Sequence, residues 1–496
     1  MTSTITLNPS LTEKESKGHA RQMGKIENYF ASLKRQDMFN NFCVISRFES
    51  QITNELLYLF VKGLIVKYPI LMCVTNATDH SKADTPSPRD HIMVKDLIEF
   101  TDIVIELPAA IMDLYHGSGN NMRNPDLLQR LNDVEIPYGD ASLTWRLARL
   151  DDHTVVYLSN HCLSDGVSGK NMTISLSEFL STNTSSTNSA DATSVDLNEP
   201  LFQYQTQSTE LKHLPPAIDS LVNFTPPLSY LPEFVFNTLV INKLSHKHPE
   251  LSSREQKHVY KLVNISSERL SEIKKILSSQ SQRITINSLI HTLWRTAQYQ
   301  HVLQFNNSFL KLSDTAVPCD ARRYVKEQAS TTDAAAGDAA ANSKDHLKFG
   351  SNVSGVHKYH HPINNLTWNW ITYENSLFQG YIQNKRPLYP FGILTSDLIT
   401  QRKSLDQVLT EASVGVQRQG TLMSNVGLVK GHGIKDTVFS QNSEMNFSSV
   451  CLSIVGTENS GVNIVIAMCE GWTTDEKFNA MVKYFEELLN DFELRI

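Results

Sequence analysis

The chain has 496 residues, 40% of them hydrophobic and 20% charged, with a net charge of −7. That length is too great for one compact core and predicts two or three domains of an ordinary soluble type. The acidic balance gives no overall field to draw nucleic acid, and the mean hydropathy of −0.27 is that of a globular chain.

The N-terminal run "MTSTITLNPSLTEKESKG" is polar and lacks the apolar region of a secretory signal. Ile26, Tyr29, Phe30 and Leu33 then make a helical apolar stripe. In "LLYLFVKGLIVKYPILMCV", Lys62, Lys67 and Pro69 interrupt what would otherwise be a membrane-length run. That stretch predicts a buried helix capped at Asn54, ended by Pro69 and followed by a short strand. Together these features predict a soluble or peripheral intracellular protein. Its six scattered cysteines, with no C-x-x-C pair, predict free reduced thiols.

"DHTVVYLS" has strong β propensity through Val155, Val156, Tyr157 and Leu158 and predicts a strand. It runs into "NHCLSDGVSG", where Asp165, Gly166 and Gly169 supply turn chemistry. The polar run Ser181–Pro200 contains almost nothing that could build a core and predicts a solvated loop or linker. "LPPAIDSLVNFTPPLSYLP", rich in proline, predicts an extended crossover between two halves.

The second half opens with a strand at "HVYKLVNIS" and a helix at "SSERLSEIKKIL". A further helix follows at "TINSLIHTLWRTA", where Ile286, Leu289, Ile290, Leu293, Trp294 and Ala297 share one face. "FLKLSDTAVPCDARR" predicts a strand ending in a charged turn, and 327–345 an alanine-rich surface loop. "GVNIVIAMCEG" predicts a late strand. "TTDEKFNAMVKYFEELLNDFELRI" predicts a closing amphipathic helix with Thr473 and Glu476 at capping-box spacing. Alternating strands and helices in both halves point to α/β architecture with two lobes.

The one constellation suited to catalysis is the H-x-x-x-D-G of residues 161–166. A histidine can take a proton from an alcohol, thiol or amine near neutral pH and pass it on. The aspartate four residues along either orients the imidazole or turns away to pair with an arginine. Cys162 is set against a Cys–His dyad because neighbouring side chains on a strand face opposite ways. No G-x-S-x-G elbow, P-loop or dinucleotide fingerprint is present. "HKYHH" (His357 to His361) lacks partner Cys or Glu spacing and predicts a polar loop, so no metal is expected.

"HCLSDG" resembles the H-x-x-x-D-G motif of the coenzyme-A-dependent acyltransferase superfamily, which includes chloramphenicol acetyltransferase. More narrowly, the chain resembles the fungal alcohol O-acetyltransferase family. "GHARQMGKIENYFASLKRQDMFNNF", "LTWRL", "LPPAIDSLVNFTPP", "VPCDAR", "FGSNVSG" and "GTLMSNVGL" match that family's blocks in order. The resemblance implies two chloramphenicol-acetyltransferase-like α/β lobes, each a mixed sheet flanked by helices, with a tunnel between them. The lobes would be 1–205 and 241–496, joined by a crossover linker at 206–240.

By that resemblance the catalytic element is His161, as general base, and Asp165, which pairs structurally with Arg322. Gly166 brings backbone close to the tunnel. Ser424 supplies a hydroxyl to the oxyanion or ligand, and Asn425 braces its loop. Acetyl-CoA is the co-substrate and a hydrophobic alcohol the acceptor, on a monomer. Terminal helices in such proteins are associated with endoplasmic reticulum and lipid droplets, which makes the two apolar terminal stripes candidates for peripheral contact. The D-F-G-W-G motif of the plant relatives is absent, so the coenzyme-A phosphate contacts are not assignable from sequence. The rival readings are N-acetylation of a long-chain, sphingoid-like amine, non-catalytic binding of a lipid or metabolite, and thioester hydrolysis.

Overall fold

The computed structural model describes residues 10–76, 89–139, 142–183, 195–245, 257–325, 344–396, 403–413, 420–442 and 448–496. Most of the alanine-rich 327–345 segment, and 184–194 of the polar run, lie outside the described residues.

Two mixed sheets organise the chain. The first is five-stranded, in the order Ile434–Gln441, Phe42–Phe48, Thr154–Ser159, Trp145–Asp151 and Val104–Ile105. The second is six-stranded, in the order His258–Ile265, Gly461–Cys469, Val450–Thr457, Thr421–Val429, Ser313–Asp320 and Val353–His360. Both combine parallel and antiparallel pairs. This is the α/β architecture of two sheet-containing lobes that the alternation of elements predicts.

One strand breaks the division by sequence. Ile434–Gln441 follows Thr421–Val429 after four residues, yet pairs antiparallel with Phe42–Phe48 at the edge of the first sheet. Its register sets Gln441 against Phe42, which in turn faces Ser159 at the end of the strand before His161. A residue from late in the chain is therefore delivered to the turn that carries His161.

The apolar faces account for the packing. Leu57, Val61, Leu64 and Ile65 of the Asn54–Lys67 helix join Val44, Val155 and Tyr157 in the first lobe's core. The Ile286–His301 helix puts Leu289, Leu293 and Trp294 against Phe478, Met481, Phe485 and Leu488 of the Asp475–Asp491 helix. Between the sheets, Ile45, Val156 and Val438 meet Tyr260, Leu422 and Val465 in one buried cluster. Full burial of each such side chain contributes roughly 1.5–3 kcal/mol, so the lobes are held together by core rather than by a hinge.

Several local expectations change. The Asn54–Lys67 helix is capped by Thr53, whose hydroxyl accepts from the Leu56 amide. The closing helix is capped by Thr474, which accepts from Lys477, one residue later than the capping-box spacing places it. Both proposed caps sat next to an equally good one, and backbone conformation chose between them.

Residues 214–232 are not simply extended. Short helical turns occupy Ile218–Leu221 and Leu228–Tyr230, and continuous helical structure runs from Leu231 to Leu244. Pro232 lies in the first turn of that helix, where a missing amide costs nothing. Around it Leu228, Val235, Phe236 and Leu239 are exposed.

"HKYHH" is not a loop either: Val353–His360 is a strand paired along its length with Ser313–Asp320. Alternation resolves the apparent cluster, for His357 turns to Asp314 while His360 is buried on the far side. The terminal stripes also face inward. Ile26, Tyr29, Phe30 and Leu33 are buried, as are Phe478, Met481, Val482, Phe485, Leu488, Leu489 and Phe492. No helix among the described residues is long and apolar enough to cross a membrane.

Candidate active site

The Thr154–Ser159 strand ends, and the chain turns through Asn160–Asp165 into the Gly166–Asn183 helix. Asn160 holds the turn by accepting from the Cys162 amide at 3.1 Å, and Tyr157 shares a hydrogen bond with Ser164 at 2.8 Å. His161 stands here, 8% exposed, with Nδ1 3.1 Å from the Ser164 carbonyl oxygen. A carbonyl only accepts, so Nδ1 carries the proton in the neutral ring and Nε2 keeps its lone pair.

The ring is enclosed by aromatic side chains. Phe30 stacks on it at 5.0 Å between centroids, Phe42 lies at 4.6 Å and Phe39 at 5.0 Å. Burial pushes the imidazole pKa down to about 4, against smaller opposite pulls from Asp165, the Ser164 carbonyl and Gln441. His161 is therefore neutral at physiological pH, with Gln441 beside the ring. Its depressed pKa makes it a weak base in the resting protein, but one present in the right form.

Asp165 does not orient the imidazole. Its carboxylate accepts from Arg322 Nη1 at 2.9 Å and Nη2 at 3.2 Å, a two-pronged pair across the lobes. It also caps the 166–183 helix through the Ser168 amide and hydroxyl, each at 2.8 Å, and accepts from the Asn352 amide at 3.0 Å. Burial raises its pKa, but the guanidinium and these donors outweigh that and hold the carboxyl below its ordinary value. Arg322 is fully committed, with Nε on the Leu347 carbonyl at 2.6 Å and Nη1 on Asp320 at 3.1 Å.

Gly166 is required by packing. A Cβ there would come 2.6 Å from Cγ1 of Val426 and 3.3 Å from Phe439, so the helix start lies directly on these two strands. Ser424 and Asn425 line the same cavity as His161. Asn425 accepts from the Gly427 amide at 2.8 Å and donates to Asn287 at 3.0 Å, bracing a bulge at which Gly427 has φ of +79°. Of the six residues singled out in the sequence, His161, Asp165, Gly166, Ser424 and Asn425 thus line one place, and Arg322 is tied to it through Asp165.

That place is a cavity of about 960 Å³, its open mouth included, between the two sheets. Phe30, Val317, Pro318, Val356, Phe391 and Leu422 give it apolar walls. Sequence reasoning missed the aromatic cage, Gln441 and Asn352. The stripe that carries Phe30 was visible, and so was the "FGSNVSG" block that holds Asn352. Their proximity to His161 was not.

Cys162 takes no part in a dyad. It lies beyond the strand, so alternation is not the reason; burial pushes its thiol up to about 12 and keeps it protonated. All six cysteines are free. A separate buried group joins His291, His360 and Glu374 within 4.8 Å. Arg295 also ion-pairs with Glu374 in this group.

Two lobes with mixed sheets, and a cavity between them lined by His161, define a chloramphenicol-acetyltransferase-like fold. Solved structures agree: the TRI3 trichothecene 15-O-acetyltransferase of Fusarium sporotrichioides is similar with a TM-score of 0.60 at 12% identity, over 96% of this chain and 95% of that one. The condensation domain of the Monacolin K polyketide synthase MokA is similar with a TM-score of 0.56 at 12% identity, over 96% and 97%. The alcohol acetyltransferase family model matches residues 22–489, and the chain belongs to that family. Among relatives, alcohol O-acetyltransferase 2 of Saccharomyces cerevisiae is 26% identical over 98% of both chains. Alcohol O-acetyltransferase 1 of the same yeast is 24% identical over 92% of both. The protein is an acyltransferase, and its family implies acetyl-CoA and an alcohol as substrates.

Proposed function

We propose that this protein transfers the acetyl group of acetyl-CoA directly to a hydrophobic alcohol, with His161 as the general base. The carrying observation is the Nδ1 contact to the Ser164 carbonyl, which leaves Nε2 unprotonated inside an apolar cavity. Nε2 takes the hydroxyl proton as the alcohol oxygen attacks the thioester carbonyl carbon. The tetrahedral oxyanion then collapses, the C–S bond breaks, and the departing thiolate receives the proton from the imidazolium. The products are an acetate ester and the free thiol, with no covalent acyl-enzyme.

Ser424 is suited to donate to the oxyanion, since its hydroxyl belongs to the cavity wall. Asp165 and Arg322 hold the turn and the helix start rather than moving protons. The apolar walls favour medium-chain, branched or sterol-like acceptors over small polar ones.

Thiol release from acetyl-CoA, followed without acceptor, with isoamyl alcohol and with a sphingoid amine, tests this reading. Acceptor-dependent release that His161→Ala abolishes, with an acetate ester identified by mass, is the expected result. An amide instead of an ester would move the protein to amine acetylation, and release without acceptor would make it a thioesterase.

The surface supports peripheral lipid contact, on endoplasmic reticulum or lipid droplets, through the 228–244 segment rather than the terminal helices. Leu228, Val235, Phe236 and Leu239 are exposed there, and Glu233 is paired with Arg386. Flotation with phospholipid vesicles, lost in a Phe236→Asp, Leu239→Asp variant, is the check.

A further inference from the structure

At the cavity wall stands a histidine paired with an aspartate, and the reaction above does not use it. His357 lines the same cavity as His161, and its Nε2 lies 2.6 Å from Asp314 Oδ2. Register explains the contact. His357 pairs with Ala316, which makes Asp314 its diagonal neighbour on the same face of the sheet.

The pair is built into the fold. Asp314 is almost fully buried, and Gly420, at φ of +99°, leaves room for it: a Cβ there would stand 2.3 Å from Oδ1. Oδ1 has no hydrogen-bond partner among the described residues, so His357 is the carboxylate's one side-chain donor there. A buried carboxylate short of donors holds that N–H firmly.

The pair's position sets its reach. The Asp320–Val353 rung lies beside Arg322, which Asp165 grips, and His357 is four residues further along the strand. At ~3.3 Å per residue that is about 13 Å. The cavity wall at that level and the next is Ala316, Val317, Pro318, Val356 and Leu422. An apolar stretch of cavity wall thus separates that rung from the His357 ring, whose side chain is 32% exposed.

From this we infer that His357 is a specificity residue that accepts a hydrogen bond from a second hydroxyl on the acceptor alcohol, at the end away from the reacting oxygen. The inference rests on the acetyl-transfer reading of the cavity. Asp314 is the positioning residue. A carboxylate can only accept, so it holds the proton on Nε2, and Nδ1 of the neutral ring is left as an acceptor. Among the described residues His357 Nδ1 has no protein hydrogen bond. An acceptor nitrogen selects a donor, so a terminal hydroxyl is favoured over a methoxy group of the same length. A phosphate would meet the nearby Asp314 charge and is disfavoured.

The test compares 1-alkanols, α,ω-diols and ω-methoxy alcohols over a series of chain lengths, with wild type, His357→Phe and Asp314→Asn. In wild type the diol should exceed both others in kcat/KM at one chain length, by about three- to tenfold, the worth of one such hydrogen bond. The gain should lie in KM. His357→Phe should bring the ratio to about one. Asp314→Asn, whose amide lets the ring exchange tautomers, should relax discrimination between hydroxyl and methoxy ends. A diol preference that is absent in wild type, or unchanged in His357→Phe, overturns the inference. Calorimetric binding of the same compounds applies the same criterion without turnover, so failure of acetyl transfer would count against the proposed function and leave the subsite decided separately.

Discussion

Asp165 and Arg322, 157 positions apart in sequence, meet in a buried two-pronged ion pair with N–O distances of 2.9 and 3.2 Å. The pair joins the turn that carries His161 to the strand end of the second sheet. Three further donors saturate the carboxylate, so neither charge is left short. Removing one member strands the other: Arg322→Ala or Asp165→Ala should each cost on the order of 3–5 kcal/mol. Urea unfolding should show this, and the double variant should cost less than the sum of the singles. Full additivity would mean that the two act independently.

The pH dependence follows from His161. Its pKa is depressed to about 4 by burial, so the basic form persists well below neutrality. The acid limb of kcat/KM should therefore fall near pH 4–5 rather than at the ordinary histidine value of ~6.5. Stability carries the same sign. Above pH ~6.5 the ring is neutral in both states; between there and about 4 the unfolded chain gains the proton first. His161 should thus cost the fold up to roughly 3 kcal/mol as pH falls through that window. His161→Gln should flatten this part of the stability profile.

Gly166→Ala is expected to destabilise by about 1–3 kcal/mol, because its methyl would stand 2.6 Å from Val426. Chemical unfolding of Gly166→Ala, Val426→Ala and the pair measures this. The smaller Val426→Ala partner should recover part of the loss. No recovery would show that the strain lies elsewhere in the helix start.

Ser424→Ala separates two roles. If its hydroxyl serves the oxyanion, kcat should drop by about 10²-fold or more with KM little changed. Steady-state kinetics with saturating acetyl-CoA provide the measurement. A change confined to KM would assign the hydroxyl to ground-state binding of the acceptor.

The fold class was legible because both lobes alternate strands and helices with clear periodicity, as at Leu289, Leu293 and Trp294. His161, Asp165 and Gly166 were legible because a turn with small residues directly after a β-branched run is a local signal. The partner of Asp165 was not derivable from local rules, and only the resemblance to known acyltransferases supplied Arg322. Phe30 lay in a visible stripe and in a block of that resemblance, but neither placed it against His161, and the late-chain Gln441 had no signal at all. A stripe of apolar residues states that a face is buried but not what it covers, so the N-terminal helix could be read as a lipid surface.

By itself the sequence determined the periodicity of its elements, the turn chemistry at residues 160–169, and a set of blocks that mark an acyltransferase. These are local properties, set by backbone preference and side-chain type over a few residues. Tertiary structure alone decided that Ile434–Gln441 crosses to the first sheet, that three phenylalanines surround His161, and that His357 reaches Asp314. Each depends on contacts between distant segments, where register and packing, rather than any residue's own propensity, select the neighbour.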